Sequence, residues 1–282
     1  MQTKERTKIW HNAQLDIGGL QAYYVNHAFP RHSHDYYVIC VIKSGLQSFT
    51  HKGAKHFTPP GGTILINPEA AHTGETNDEN GFEMICLYPT VKHMQDVVFE
   101  LTGYHLATPY FKDVRVDQLW LANRLSSLYR ALSGNASPLE CESRFTWTLA
   151  QLIKGFADVG FNEQLPKCER KAVRQARCYI EECFAQDITL TQLAEHVSFS
   201  PYYLLRVFHA EVGMPPYAYL ESVRIRQAQR LIEAGKPLAE VAAEVGFSSQ
   251  SHLTHRFKQI FGVTPGQYAQ QVGRRFQTAP RF

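Results

Sequence analysis

The chain has 282 residues, 44% of them hydrophobic and 20% charged, with a net charge of +3. That length suits two domains of roughly 100–200 residues each, and the composition excludes a disordered, collagenous or heavily charged chain. The net charge hides an asymmetry. Residues 1–166 carry 14 Lys and Arg against 16 Asp and Glu, whereas residues 167–282, with Arg274, Arg275 and Arg281 in their tail, carry 15 against 10. Positive charge gathered in one half is a weak pointer to nucleic acid.

The N-terminal stretch Met1–Lys8 is polar, so no secretory signal is expected and the cytoplasm is the default location. The longest notable apolar run, Tyr36–Ile42, is far short of the ~20 residues that cross a bilayer, so no membrane span is expected. The six cysteines include no C-x-x-C pair; reduced thiols are expected, without a disulfide or zinc framework.

Up to about residue 90 the chain alternates short β-rich runs with Gly and Pro. Tyr36–Ile42 reads as a buried strand. Leu46–His51, His56–Thr58, Thr63–Asn67 and Phe82–Tyr88 read as further strands, which suggests a small sandwich or barrel. Helical spacing begins at residue 91. Leu121, Leu125, Leu128 and Leu132 share one face of a predicted helix over 114–132, and Phe145, Leu149, Leu152, Ile153 and Phe156 share another. These helices either cover the barrel, seal a dimer or pack only on their own domain. Residues 158–167 read as a linker.

Beyond residue 167 every element reads as helical. Ala172, Val173, Ala176, Ile180 and Phe184 form a stripe. Thr189–Gln192 is a capping-box pattern, and Ser200-Pro201 an N-cap followed by proline at N1. Gly213 ends that helix. A long helix over 217–234 closes at Gly235. Pro237 at N1 opens the next and Gly246 stops it. Ser248 is a predicted N-cap, Gly262 the following stop, and Thr264-Pro265 opens the last helix.

This half repeats itself. Leu193–Ser200 aligns with Val241–Ser248 at an offset of 48. Leu204, Phe208, Gly213, Pro216 and Tyr219 match Leu253, Phe257, Gly262, Pro265 and Tyr268 at an offset of 49, with the extra residue placed just after the second cap. Each copy is a short helix, a turn holding Ser198-Phe199 or Gly246-Phe247, and a second capped helix, which is a helix-turn-helix pattern. Two recognition helices about 34 Å apart would fit successive major grooves on one face of DNA. In the first, Leu204, Val207 and Phe208 are predicted to pack inward, leaving Tyr202, Tyr203 and Arg206 outside. In the second, Leu253, Phe257, Ile260 and Phe261 form the predicted core. Ser249, Gln250, Ser251, Thr254, His255 and Lys258 are then the DNA-facing candidates. Such side chains bond base edges or phosphates.

The stretch Gly246–Lys258, with Phe261-Gly-Val-Thr-Pro265 and Tyr268, resembles the signature of AraC/XylS-type transcription regulators. The resemblance covers residues ~170–270 and implies a seven-helix DNA-binding domain. It carries base contact onto Tyr202, Arg206, Gln250, Ser251 and His255. Two positions depart from the family pattern: His255 stands where arginine is usual, with Arg256 one place on, and Leu205 stands where relatives are often polar.

In the first half, His32-Ser-His34-Asp-Tyr36 places His32, His34 and Tyr36 on one strand face, and Pro59–Gly62 and Asn67–His72 follow. This resembles a cupin barrel of the kind that precedes AraC-type DNA-binding domains. His32, His34, His72 and Gly45 fit the metal-cupin pattern. Its carboxylate slot falls on Val38 or Ile39, and Asp35 should point to the opposite face. Three readings stand side by side. His32, His34, Tyr36 and His72 line an effector pocket; His32, His34 and His72 hold zinc or iron; or the histidines are structural. His51 and His56 are predicted to be exposed.

The expected fold class is α+β, an N-terminal cupin-like β-barrel followed by helices, then an all-α domain with two helix-turn-helix units. The domains are residues 1–90 (effector barrel), 91–160 (the helical part of the sensory domain, a candidate for dimerisation) and 161–282 (DNA-binding). The expected protein is a ligand-responsive, sequence-specific transcription regulator and activator. It has no catalytic residues, and its partners are double-stranded DNA, a small-molecule effector, RNA polymerase and a second copy of itself. The rivals are a metal-dependent cupin enzyme (oxygenase or isomerase) with a helical tail, and a nonspecific DNA-binding protein.

Overall fold

The computed structural model describes residues 5–76, 79–159, 169–261 and 263–270. Most of the expected linker, Cys168, Gly262 and the tail arginines lie outside the described residues. The chain forms two compact units, residues 1–134 with 144–165, and residues 135–143 with 166–282.

The first unit contains β1 (Arg6–Asn12), β2 (Ile17–Tyr24), β3 (Ala28–His32), β4 (Val38–Ser44), β5 (Gln47–His51), β6 (Ala54–Thr58), β7 (Thr63–Ile66), β8 (His72–Thr76), β9 (Phe82–Tyr88) and β10 (Arg115–Val116). They build two antiparallel sheets in the orders β1-β2-β9-β4-β7-β10 and β3-β8-β5-β6. The inward positions alternate along each strand, as the two-residue repeat requires: Leu20, Ala22 and Tyr24; Val38, Cys40 and Ile42; Ile64 and Ile66; Met84 and Cys86. On the central strands β4, β7 and β9 the other face of the larger sheet is buried too. α2 (Leu119–Ser133) packs on β1, β4 and β9, which is why β4 is a continuous apolar run. α1 (Val91–Thr102) opens with a Thr90–His93 capping box and ends at left-handed Gly103.

Leu121, Leu125, Leu128 and Leu132 are all buried on α2, which starts later than the sequence pattern suggests because Arg115–Val116 pair with β7. α3 (Pro138–Phe156) starts before the predicted Phe145. Gly45 turns β4 into β5 at φ +73°, where an added Cβ would lie 2.0 Å from the carbonyl oxygen of Gly81, so only glycine fits.

The second unit holds the start of α3 and then α4 (Arg170–Cys183), α5 (Leu190–His196), α6 (Pro201–Val212), α7 (Pro216–Glu233), α8 (Leu238–Glu244) and α9 (Gln250–Phe261); residues 265–270 are also helical. The repeat holds in the backbone. α5 and α8 have seven residues each, and α6 and α9 twelve each. Both turns use the same bonds: Phe199 N donates to Ala194 O and Phe247 N to Ala242 O, each at 2.9 Å. Both put the preceding residue in the left-handed region, Ser198 at φ +57° and Gly246 at φ +79°. This is the Schellman stop, in which a left-handed residue lets the next N–H reach back to a helix carbonyl.

Several expectations need correction. Ser248 is not the cap of α9. Ser249 Oγ accepts from His252 N, while Ser248 Oγ pairs with His252 Nδ1, so the inserted residue precedes the cap. Pro237 is itself the N-cap of α8, whereas left-handed Gly235 does close α7, one place after its cap Ala234. Ile260 is 54% exposed. Phe261 and Tyr268 cluster on Phe257 and fill the space assigned to it. Cys40 and Cys86 are joined in a disulfide, because β4 and β9 bring residues 46 apart in sequence directly opposite each other.

Candidate effector cavity and nucleic-acid interface

The first unit holds a half-open cavity of about 130 Å³ lined by His32, His34 and His72 together with apolar side chains such as Val38, Phe49 and Ile66. His32 ends β3 and His72 begins β8, and the two are direct cross-strand partners. His34 lies in the loop that follows. Its carbonyl accepts from Glu69 N, and Asn67 clamps the same turn by bonding both N and O of Phe111. The rings meet, with centroids 4.7 Å apart for His32–His34, 4.5 Å for His32–His72 and 5.4 Å for His34–His72. One nitrogen from each lies within 4.8 Å of the others. Tyr36 stacks on His34 from behind and rests on Tyr88; it supports the cavity without lining it.

His32 Nδ1 is 2.7 Å from Pro30 O, and His72 Nδ1 is 2.9 Å from Ala70 O. A carbonyl only accepts, so each Nδ1 carries the hydrogen and each Nε2 keeps a lone pair. Burial is the first cause that lowers the pKa of both His34 and His72, and neighbouring histidines add to it. Both shifts favour the neutral ring at His34 and His72, and at His72 the carbonyl contact leaves Nε2 as the acceptor.

Gln47 adds another acceptor. It is 6% exposed, lines the cavity, and its Oε1 has no hydrogen-bond partner among the described residues. Burial raises the Tyr88 phenol, so its hydroxyl stays protonated. Among the described residues, no Lys or Arg lines the cavity.

His51 is buried, contrary to expectation, because it pairs across the sheet with His72 on the side opposite His32. Val38 lines the cavity in the place of a carboxylate, and Asp35 is exposed.

In the second unit, Ser249, Gln250, Ser251, His255 and Lys258 are exposed on α9 and Thr254 is half-buried. His255 Nε2 lies 3.0 Å from Gln259 Nε2 one turn on. The three- and four-residue steps put Ser251, Thr254, His255 and Lys258 on one face. Arg256 points elsewhere, with Nη2 3.3 Å from Glu140 and Nε 2.9 Å from Glu221.

On α6, Tyr203 and Arg206 are half-buried, but Tyr202 is only 3% exposed. Leu205, one turn further, is also buried and widens the inner face to include Tyr202. The Arg206 guanidinium lies 5.7 Å from the Tyr202 ring centroid. Tyr202 is thus a platform for Arg206, and its expected outward position is corrected.

Residues 193–271 match the family model of a helix-turn-helix domain, and residues 14–149 match that of an AraC-like ligand binding domain. The uncharacterized HTH-type transcriptional regulator YbfI of Bacillus subtilis (strain 168) is 34% identical over 254 residues, 90% of this chain and 91% of that protein. The chain belongs to the AraC-type family of transcriptional regulators. The HTH-type transcriptional activator RhaS of Enterobacter sp. (strain 638) is 23% identical over 253 residues, 86% of this chain and 88% of that one. The C-terminal domain of AraT, a response regulator from Geobacillus stearothermophilus, is a solved structure similar to this chain at TM-score 0.34 and 36% identity, covering 36% of this chain and 84% of that one.

This AraC-type regulator carries one ligand-binding and one DNA-binding domain, and no described helix is long and apolar enough to cross a membrane. Sequence reasoning missed Gln47, Tyr88 and the Cys40–Cys86 pair in its cavity. Strand alternation through Val38 and Ile42 would have found Cys40; Gln47 carried no such signal, because a polar residue at a strand start reads as exposed.

Proposed function

We propose that the regulator takes a compact neutral or cationic effector into the barrel cavity and reads a specific double-stranded DNA site with α6 and α9. The partnerless buried Gln47 Oε1 beside neutral imidazoles carries the effector reading. A buried acceptor left unpaired costs about 1–3 kcal/mol, and a ligand that donates hydrogen bonds to it recovers that energy. Among the described residues an anion would meet no cationic Lys or Arg here, while the unpaired Gln47 Oε1 calls for a donor. The occupant is therefore a small donor-bearing molecule with an apolar body, such as an alcohol or amine.

The effector biases DNA occupancy only through different affinity for two states of the protein. The regulator acts as a homodimer in the cytoplasm and activates by contacting RNA polymerase, in keeping with a relative named as an activator. A ligand-sensing role accounts for the cavity without catalytic groups, so a cupin enzyme is not proposed.

Matched alcohols, amines and carboxylates should be screened by thermal shift. A true effector at about 100 times its Kd adds ~2.7 kcal/mol of stability. Stabilisation by carboxylates alone would overturn the assignment. His34→Ala should abolish the response to that effector while the isolated 167–282 fragment still binds DNA.

A second reading rests on the three histidine nitrogens within 4.8 Å of one another. With Nδ1–H of His32 and His72 held on carbonyls and their Nε2 atoms free, these two together with His34 suit a borderline ion such as zinc or iron, which would supply Lewis acidity toward an effector oxygen or nitrogen. Metal analysis of protein equilibrated with zinc decides this. One equivalent in wild type, lost in His72→Ala, supports a metal; none leaves the cavity to an organic effector.

A further inference from the structure

We propose that Cys40 and Cys86 form a reversible dithiol–disulfide pair through which a hydroperoxide changes the effector cavity. The two residues are direct partners on interior strands β4 and β9, flanked in register by Ile39↔Leu87 and Val41↔Ile85. Both side chains face inward with the barrel core and line the cavity. Met84 Sδ lies 3.7 Å from Cys86 Sγ and faces the same space.

Cys40 and Cys86 are 5% and 1% exposed, so a reagent reaches them through the cavity. The half-exposed His32 and His34 line it as well. β2, β9, β4 and β7 are already joined edge to edge by the ladder, so the sheet holds these strands together with or without the bond.

The chemistry balances in two steps. One thiol, losing its proton to a neutral cavity imidazole or water, attacks the peroxide and gives a sulfenic acid and an alcohol. The second thiol then displaces water from that sulfenic acid and closes the disulfide. Two thiols lose two electrons and two protons, and the hydroperoxide is reduced to alcohol and water. A small dithiol reverses the bond by exchange. Reduction separates the sulfurs to van der Waals contact and adds two weak S–H donors to a wall of only about 130 Å³.

The regulatory part rests on the cavity being the effector site; the thiol chemistry does not. Full-length protein, reduced and desalted, should be treated with hydrogen peroxide, alkylated and mapped by mass spectrometry. The expected result is loss of two alkylatable thiols, a Cys40–Cys86 cross-linked peptide, recovery with dithiothreitol under native conditions, and different melting temperatures for the two forms. Oxidation falling instead on Cys141, Cys168, Cys178 or Cys183, or a bond that dithiothreitol opens only in denaturant, would overturn the proposal. Because the mapping uses wild-type protein, it stands even if Cys86→Ser fails to fold. If mapping succeeds but the two forms respond equally to a ligand found by thermal shift, the chemistry stands and the link to the effector site fails.

Discussion

Ser198 and Gly246 occupy the same position in the two turns and show what one Cβ does there. At φ +57° Ser198 pays the left-handed penalty that glycine avoids, so Ser198→Gly should be neutral to about 1 kcal/mol stabilising once the added chain entropy of glycine is offset. Gly246→Ala should destabilise by at least about 1 kcal/mol, since its Cβ would also lie 2.7 Å from Ala185 O. Urea midpoints of the two variants test both signs. The histidines set a pH dependence at the same scale. His34, His51 and His72 all have pKa values lowered first by burial. The unfolded chain then binds protons that the folded chain refuses. Their contribution is complete above the ordinary histidine value of about 6.5 and is lost progressively on acidification below it. The melting temperature should fall between about pH 7.5 and pH 5.5, and the fall should shrink in His72→Gln.

Along α9 the sequence period correctly separates an exposed polar face from the buried Leu253 and Phe257. It does not reveal that the neighbouring Arg256 is tied between Glu140 of α3 and Glu221 of α7, with side chains 24%, 5% and 19% exposed. Removing one partner of a well-buried ion pair costs about 3–5 kcal/mol. Arg256 keeps Glu221 in Glu140→Gln, so about 2 kcal/mol is expected there, read from chemical denaturation. On the outer face, Arg206→Ala should cost ~1–3 kcal/mol on the cognate site and relax specificity in one half of it, whereas Lys258→Ala should weaken all sequences alike and lower the salt slope by about one. Binding titrations on specific and random duplexes at several salt concentrations separate the two.

For the whole molecule, the first turn of α3 belongs to the DNA-binding unit although the rest of that helix belongs to the other unit. A 167–282 fragment therefore lacks Glu140 and should melt below a 135–282 fragment. Most of the architecture was legible in the residues. β9 was read with its exact ends, the Thr189 and Ser200 caps form as predicted, and His32, His34 and His72 do meet. These rest on local rules: alternation, capping hydrogen bonds, a repeat offset. Tyr202, His51, Ile260 and the Cys40–Cys86 pair were misread because each depends on what another segment places opposite it.

The sequence by itself determined the two-part organisation, the duplicated helix-turn-helix and the histidine cluster, because periodicity, caps and spacing act over a few residues. Only the tertiary structure decided that Gln47 Oε1 lies buried without a partner among the described residues, that Arg256 is drawn between two carboxylates, and that two distant cysteines face each other. Burial and cross-strand pairing join residues tens of positions apart, and no local pattern encodes that distance.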